Sequence, residues 1–286
     1  MKVIDGKKIA LEIRAELKEK ISKLGTAPGL AVLLIGNNEA SRIYVGLKEK
    51  ASEEAGIKFE KFLFSESASE PEILKKIDEL NNRADINGTL VQLPLPAQLD
   101  EDKIIAAIAP QKDVDGFHPK NLELIKDGHP FIVPGVALGI MKLIESTGTD
   151  LKNKKAILLV NSEIFAIPLK YLLLKQGASV DMKLEAKSPD ATVGIPTQSR
   201  RDYKLKAYDI IIIALGQPKI LKESMVKDNA VIIDVGTTKV DGHLSGDADF
   251  ESFRNRNVWI TPVPGGVGPM TVAMLLQNVY FLAKNG

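Results

Sequence analysis

From residue 30 onward, apolar runs of strand length alternate with longer segments whose apolar residues recur at helical spacing. That alternation selects parallel α/β architecture over sandwiches and helical bundles. Strands are read at Leu30 to Ile35, Phe59 to Phe64 and Thr89 to Leu93, with helices at Ala40 to Ala55, Glu70 to Arg83 and Asp100 to Ile108. After a turn-rich stretch around Asp127 to Pro134, a second series follows. It has a helix near Ala137 to Glu145 and strands at Ala156 to Val160, Ala178 to Met182, Ala191 to Ile195, Ile210 to Leu215 and Val231 to Val235. These runs are nearly all apolar, as strands of a sheet covered on both faces are. The chain ends in a segment where Pro269 suits a first helical turn and Val272, Leu275, Leu276, Val279 and Leu282 share one face. At 286 residues the chain exceeds what one core ordinarily fills, so two domains are expected.

Composition narrows the class of partner. Lys and Arg total 38 against 37 Asp and Glu, which gives no global field to attract nucleic acid or an anionic membrane. Cysteine is absent, so disulfides, thiolate metal sites and a Cys nucleophile are excluded. The opening MKVIDGKKIA lacks an apolar core of signal-peptide length, and the longest apolar run, Ile210 to Leu215, is strand-sized. A cytoplasmic protein is expected.

Several residues could carry chemistry. On the helix from Ala40, the residues Ala40, Ile43, Leu47 and Ala51 form the expected core stripe, and Ser41, Tyr44 and Lys48 fall one position round from it. A partly desolvated Lys48 beside a phenol could exchange protons; a solvated surface lysine is the plainer reading. In VQLPLP, Gln92 and Leu93 stand at the C-terminal end of an apolar strand and Pro94 follows, where open α/β sheets bind ligands or where a strand merely stops at prolines. Asp115, in the charged turn Lys112 to Gly116, could bind an amine-rich heterocycle or cap a turn. Gly265 and Gly266, in PVPGGVGPMT, could press against a ligand or only enter the last helix. No residue set has metal-ligand spacing, and His118, His129 and His243 read as satisfied histidines.

A dinucleotide site would be expected after the strand at Ala156 to Val160. The sequence there, Val160 to Pro168, contains no glycine, and Glu163 brings a negative charge to the turn.

Taken together, VQLPLP, KDVDGFHP, Tyr44-x-x-x-Lys48, DIIIIALGQP, VIIDVG, GDADF and PVPGGVGPMT resemble, in order and over essentially the whole chain, the FolD family of methylenetetrahydrofolate dehydrogenase/methenyltetrahydrofolate cyclohydrolases. The resemblance implies two α/β domains flanking a cleft, the second Rossmann-like, with the C-terminal helix returning to the first. The folate or catalytic domain would be residues 1–125, completed by 268–286, and the NAD(P)-type domain 126–267. It further implies a homodimer, a folate substrate and no nucleic-acid or membrane partner. Lys48 would be the proton-handling residue, Tyr44 would stack on or orient the folate, Gln92 would position Lys48, and Asp115 would bind the pterin. Ser41, Leu93, Pro94, Gly265 and Gly266 would contact the substrate.

The family pattern G-R-S-x-x-V-G-x-P aligns with Val160 to Pro168, so its two glycines become Val160 and Ala166 and its Arg, which would meet an NADP 2′-phosphate, becomes Asn161. Ser162, Pro168 and Gly216 remain as nucleotide contacts. The family's P-C-T-P-x-G reads Pro134 to Gly139, and its H-S-x-T reads Pro196 to Ser199. These departures lead to the expectation of a cyclohydrolase, which needs no cofactor, with NADP or NAD binding weakened or lost. The alternatives are a fully bifunctional enzyme using NADP or NAD, and a non-catalytic folate-binding protein.

Overall fold

The computed structural model describes residues 1–185 and 204–285. The expected strand at Ala191 to Ile195 and the Pro196 to Ser199 motif lie outside the described residues. The chain divides into two compact units, Ala10–Gly135 with Thr271–Gly286, and Met1–Ile9 with Val136–Met270.

In chain order the first half runs β1 (Lys2–Val3), α1 (Gly6–Ile21), β2 (Gly29–Ile35), α2 (Glu39–Ala55), β3 (Lys58–Phe64), α3 (Glu70–Asn81), β4 (Gly88–Val91), α4 (Glu101–Ala107) and α5 (Pro119–Lys126). Strands β3, β2 and β4 form a parallel sheet in that order. The two-residue period of β2 divides its side chains between two cores. Leu30, Val32 and Leu34 pack with Leu17 and Ile21 of α1 and Val45 and Ala51 of α2. Ala31, Leu33 and Ile35 pack with Ile73, Ile77 and Leu80 of α3 and Ile104 of α4.

The second half runs α6 (Gly135–Glu145), β5 (Lys155–Val160), α7 (Glu163–Lys175), β6 (Ser179–Leu184), β7 (Ile210–Ala214), β8 (Val231–Asp234), a hairpin of β9 (Thr238–Val240) and β10 (His243–Ser245), β11 (Trp259–Ile260) and α8 (Val267–Asn285). Its six-stranded parallel sheet has the order β1-β11-β8-β7-β5-β6. From β5 the chain steps outward to β6 and then returns to the other side of β5 as β7, so strand order reverses between β5 and β7. Such a reversal opens a crevice beyond the strand ends, where ligands bind in this architecture.

Three sequence readings need revision. Residues 1–9, placed by the sequence boundary in the first domain, join the second unit because β1 pairs with β11 in register Lys2↔Trp259. Among the described residues β6 stands at one end of the strand order, and its Met182 and Leu184 are exposed rather than covered. The core stripe of α2 is also displaced. Of the expected residues Ala51 is buried, but Ile43 and Leu47 are 57% and 51% exposed, while Ser41, Val45, Lys48, Ser52 and Ala55 are buried beside it.

Helix α8 behaves as its spacing predicts. Val272, Leu275, Leu276, Val279 and Leu282 enter the core that covers β2, so the C-terminal helix completes the three-stranded unit.

Candidate active site

Helix α2 starts where Asn38 caps it, the side-chain oxygen accepting the Ser41 N–H at 3.0 Å, and ends at Gly56, whose φ of 82° forms a left-handed cap. Between these caps, residues 41, 45, 48, 52 and 55 line the inward face, and that register carries Lys48 into the protein. Its side chain is only 6% exposed.

The polar partners come from the end of β4. Gln92 extends the ladder by donating its N–H to Leu33 O at 2.9 Å, which fixes its backbone. Its Nε2 donates to Leu93 O at 2.8 Å, and Ser41 Oγ donates to the same carbonyl at 3.2 Å. A carbonyl can only accept, so it holds the amide nitrogen of Gln92 and turns Oε1 toward Lys48, whose Nζ donates to it at 2.9 Å. The lysine is held by a neutral acceptor. Burial therefore pushes its pKa below the ordinary lysine value, an effect opposed by the charge of Asp115.

Asp115 reaches this group from the turn between β4 and α5, and the two aspartates of that turn have separate tasks. Asp113 is buried and accepts the Gly116 N–H at 3.0 Å, the His118 N–H at 2.8 Å and Asn121 Nδ2 at 3.0 Å. It supplies the turn chemistry. Gly116 has φ 78°, and a Cβ there would lie 2.7 Å from Pro134 N, so only glycine fits. Asp115 is enclosed by protein atoms yet keeps part of its surface in solvent. Desolvation pushes its pKa up to about 6, opposed by the charge of Lys48 and reinforced by that of Asp113.

Asn278 was not singled out from the sequence. Its Nδ2 donates to Val114 O and Val133 O, both at 3.0 Å, tying the Asp115 turn to α8. The available signal was a polar residue on the otherwise apolar face of the last helix. His118 is a satisfied histidine: Nδ1 accepts the Lys120 N–H, and Nε2 lies 3.2 Å from Ala106 O.

The structure thus brings Ser41, Lys48, Gln92, Leu93 and Asp115 into one group. Tyr44 is half-buried one turn before Lys48, and Pro94 is exposed beyond Leu93. Gly265 and Gly266 belong to the other unit, where their backbone has packing duties. Gly265 has φ 107° and accepts the Lys7 N–H at 2.9 Å, and a Cβ on Gly266 would lie 2.6 Å from Pro262 O.

At the strand reversal of the second unit, Asn161 donates its N–H to Ala214 O at 3.2 Å and its Nδ2 to Leu215 O at 3.0 Å. Ser162 caps α7, its Oγ accepting the Phe165 N–H at 3.3 Å. Gly216 has φ 69°, with open space where a Cβ would stand. Asp247 shapes this loop by accepting the N–H groups of Leu215, Gly216 and Gln217 at 2.6, 3.1 and 2.6 Å. Asp234 in turn accepts those of Gly236, Asp247 and Ala248. Burial pushes Asp234 up to about 7, against the pull of these hydrogen bonds.

Val160 and Ala166 are fully buried. Pro168 is likewise buried within α7. Only the Asn161 side chain replaces a cation at the accessible turn.

Comparison with known proteins agrees with both halves. The profile of the tetrahydrofolate dehydrogenase/cyclohydrolase catalytic domain matches residues 4–115, and that of the family's NAD(P)-binding domain matches residues 134–286. This chain belongs to the tetrahydrofolate dehydrogenase/cyclohydrolase family. It is 46% identical to the bifunctional protein FolD of Halothermothrix orenii, covering 97% of this chain and 96% of that protein. The bifunctional FolD enzyme of Campylobacter jejuni superimposes with a TM-score of 0.90 at 39% identity, covering 100% and 99% of the two chains. The Trypanosoma brucei FolD, solved with NADP and an inhibitor, superimposes with a TM-score of 0.89 at 32% identity, covering 99% and 97%.

Within this family frame, the second unit offers a dinucleotide a capped helix N-terminus and a glycine in the left-handed region with open space beside it. Among the described residues no group of three or more His, Asp and Glu could hold a metal ion, and no helix is long and apolar enough to cross a membrane.

Proposed function

We propose that this protein is a bifunctional methylenetetrahydrofolate dehydrogenase/methenyltetrahydrofolate cyclohydrolase, acting as a cytoplasmic homodimer. The observation that carries this reading is the buried lysine, Lys48, held by a neutral acceptor and sharing its site with a carboxyl poised near neutrality. A lysine with a lowered pKa has the neutral amine available to take a proton.

In the hydrolytic half, water adds to the electrophilic carbon between N5 and N10 of 5,10-methenyltetrahydrofolate. One water proton passes to Lys48 Nζ as the C–O bond forms. The adduct then collapses: the Lys48 ammonium gives its proton to N5 as the C–N5 bond breaks, the hydroxyl proton returns to the amine and is released to solvent, and 10-formyltetrahydrofolate remains. Gln92 fixes the amine, Tyr44 packs against the folate, and Asp115 binds the pterin. Leu93 O holds the Gln92 amide and also accepts from Ser41, and Pro94 contributes to the substrate's surroundings.

In the oxidative half, a bound nicotinamide dinucleotide supplies the oxidising equivalent. Asn161, Ser162, Gly216 and the first turn of α7 would hold it, with Pro168 supporting that helix. A second reading, a cyclohydrolase with weakened dehydrogenase activity, is favoured by one observation: Asn161 offers no cation, and its amide is committed to Leu215 O.

A paired spectrophotometric assay separates these readings. Hydrolysis of methenyltetrahydrofolate without nucleotide, together with oxidation of methylenetetrahydrofolate when NAD or NADP is supplied, supports the bifunctional enzyme. Hydrolysis alone supports the second reading, and inactivity in both arms of the assay refutes both in favour of a folate-binding protein.

A further inference from the structure

The dehydrogenase half of the proposed function leaves open which dinucleotide is used, and the end of β6 bears on that choice. Strands β5 and β6 are parallel neighbours with Val160 opposite Leu184. Glu185 is the next residue, its N–H donating to Val160 O at 2.9 Å, and it is half-buried. This places it level with the Asn161–Ser162 turn, one strand away from the reversal between β5 and β7.

In a βαβ unit that binds a dinucleotide, the end of the second strand stands beside the adenosine ribose. A carboxylate there accepts hydrogen bonds from ribose hydroxyls. It also repels a phosphate on the 2′ oxygen, whereas a cation would attract one. This chain places a carboxylate at that point. Among the described residues the other accessible groups at the turn lean the same way: Asn161 is neutral, and Glu163 adds negative charge to the first turn of α7. Lys183 shares a face of β6 with Glu185 by strand alternation but lies inside the ladder, opposite Leu159.

We propose that Glu185 is the residue by which this enzyme selects NAD over NADP, binding the ribose hydroxyls of the adenosine half and excluding a 2′-phosphate. The proposal rests on the dehydrogenase reading above and adds a residue and a preference to it.

The test is calorimetric titration of the full-length protein with NAD and with NADP, without folate, for the wild type, Glu185→Gln and Glu185→Ser. The wild type is expected to bind NAD more tightly by on the order of tenfold or more, the range that one charge-assisted contact supplies. In both variants that ratio collapses toward one, and in Glu185→Ser NADP gains in absolute affinity. The ratio is read within each variant, so a general loss of fold, followed by thermal melting, does not imitate the effect.

NADP binding as tightly as NAD in the wild type, or a ratio unchanged in both variants, overturns the role of Glu185 and leaves the dehydrogenase reading standing. Failure of the wild type to bind either nucleotide, with hydrolysis intact, overturns the dehydrogenase reading and this proposal with it.

Discussion

Asp115→Asn is expected to make the protein more stable at neutral pH while impairing its function. Burial raises the folded-state pKa of Asp115 from 3.8 to about 6. A carboxyl whose folded pKa is raised binds its proton more tightly in the native state, so its contribution is most favourable below pH 4 and is lost as pH rises through 6. At pH 7 the ionised group therefore costs about 3 kcal/mol at most, since each pKa unit corresponds to about 1.4 kcal/mol. Partial solvent contact, and loss of the charge that supports Lys48 as an ammonium, reduce the gain on substitution to about 1–2 kcal/mol. Urea unfolding followed by far-UV circular dichroism, at intervals from pH 4 to pH 8, measures this directly. The variant should unfold at higher urea than the wild type at pH 7, and the two should converge near pH 4. A variant less stable at pH 7, or a difference independent of pH, would refute the desolvation argument for this site.

The same substitution removes the negative charge that opposes the lowering of the Lys48 pKa, so the limb of the hydrolysis pH profile set by Lys48 should move to lower pH; a limb that stays in place would show that the two groups are uncoupled. Gln92→Met deletes the acceptor that holds Nζ at 2.9 Å and should lower kcat by roughly 10-fold to 100-fold with a smaller change in KM, measured by steady-state hydrolysis. Gly116→Ala forces a side chain into a backbone with φ 78° and against Pro134, so denaturant unfolding should report a loss of about 2 kcal/mol or more.

Much of the fold was legible because strand-length apolar runs and helical periodicity are set by local sequence, and β2, β5, β7 and β8 stand close to where those runs lie. The failures have definite causes. On α2, apolar character does not mark the core: Ile43 and Leu47 are exposed while Ser41 and Lys48 are buried. The inward face is polar because it meets Gln92 and the Leu93 carbonyl, partners more than 40 residues away in sequence. At the nucleotide turn an alignment identifies a glycine replaced by Val160, and the structure adds that this side chain is buried. Spacing alone does not separate Asp113 from Asp115; the family resemblance selects Asp115, and the hydrogen bonds to Gly116, His118 and Asn121 show Asp113 as the turn-former. The pairing of β1 with β11, more than 250 residues apart, left no local signal.

The central claim is that Lys48 moves protons in the hydrolysis of methenyltetrahydrofolate without being needed to bind it. Lys48→Met keeps much of the side chain's bulk and removes the amine. Single-turnover hydrolysis and equilibrium folate binding, measured on the same preparation, are the most direct test. The account predicts a hydrolysis rate lower by about 10²-fold to 10⁴-fold, with the folate dissociation constant changed only a few-fold. Turnover close to that of the wild type, or a loss of activity fully explained by a loss of binding, would contradict it.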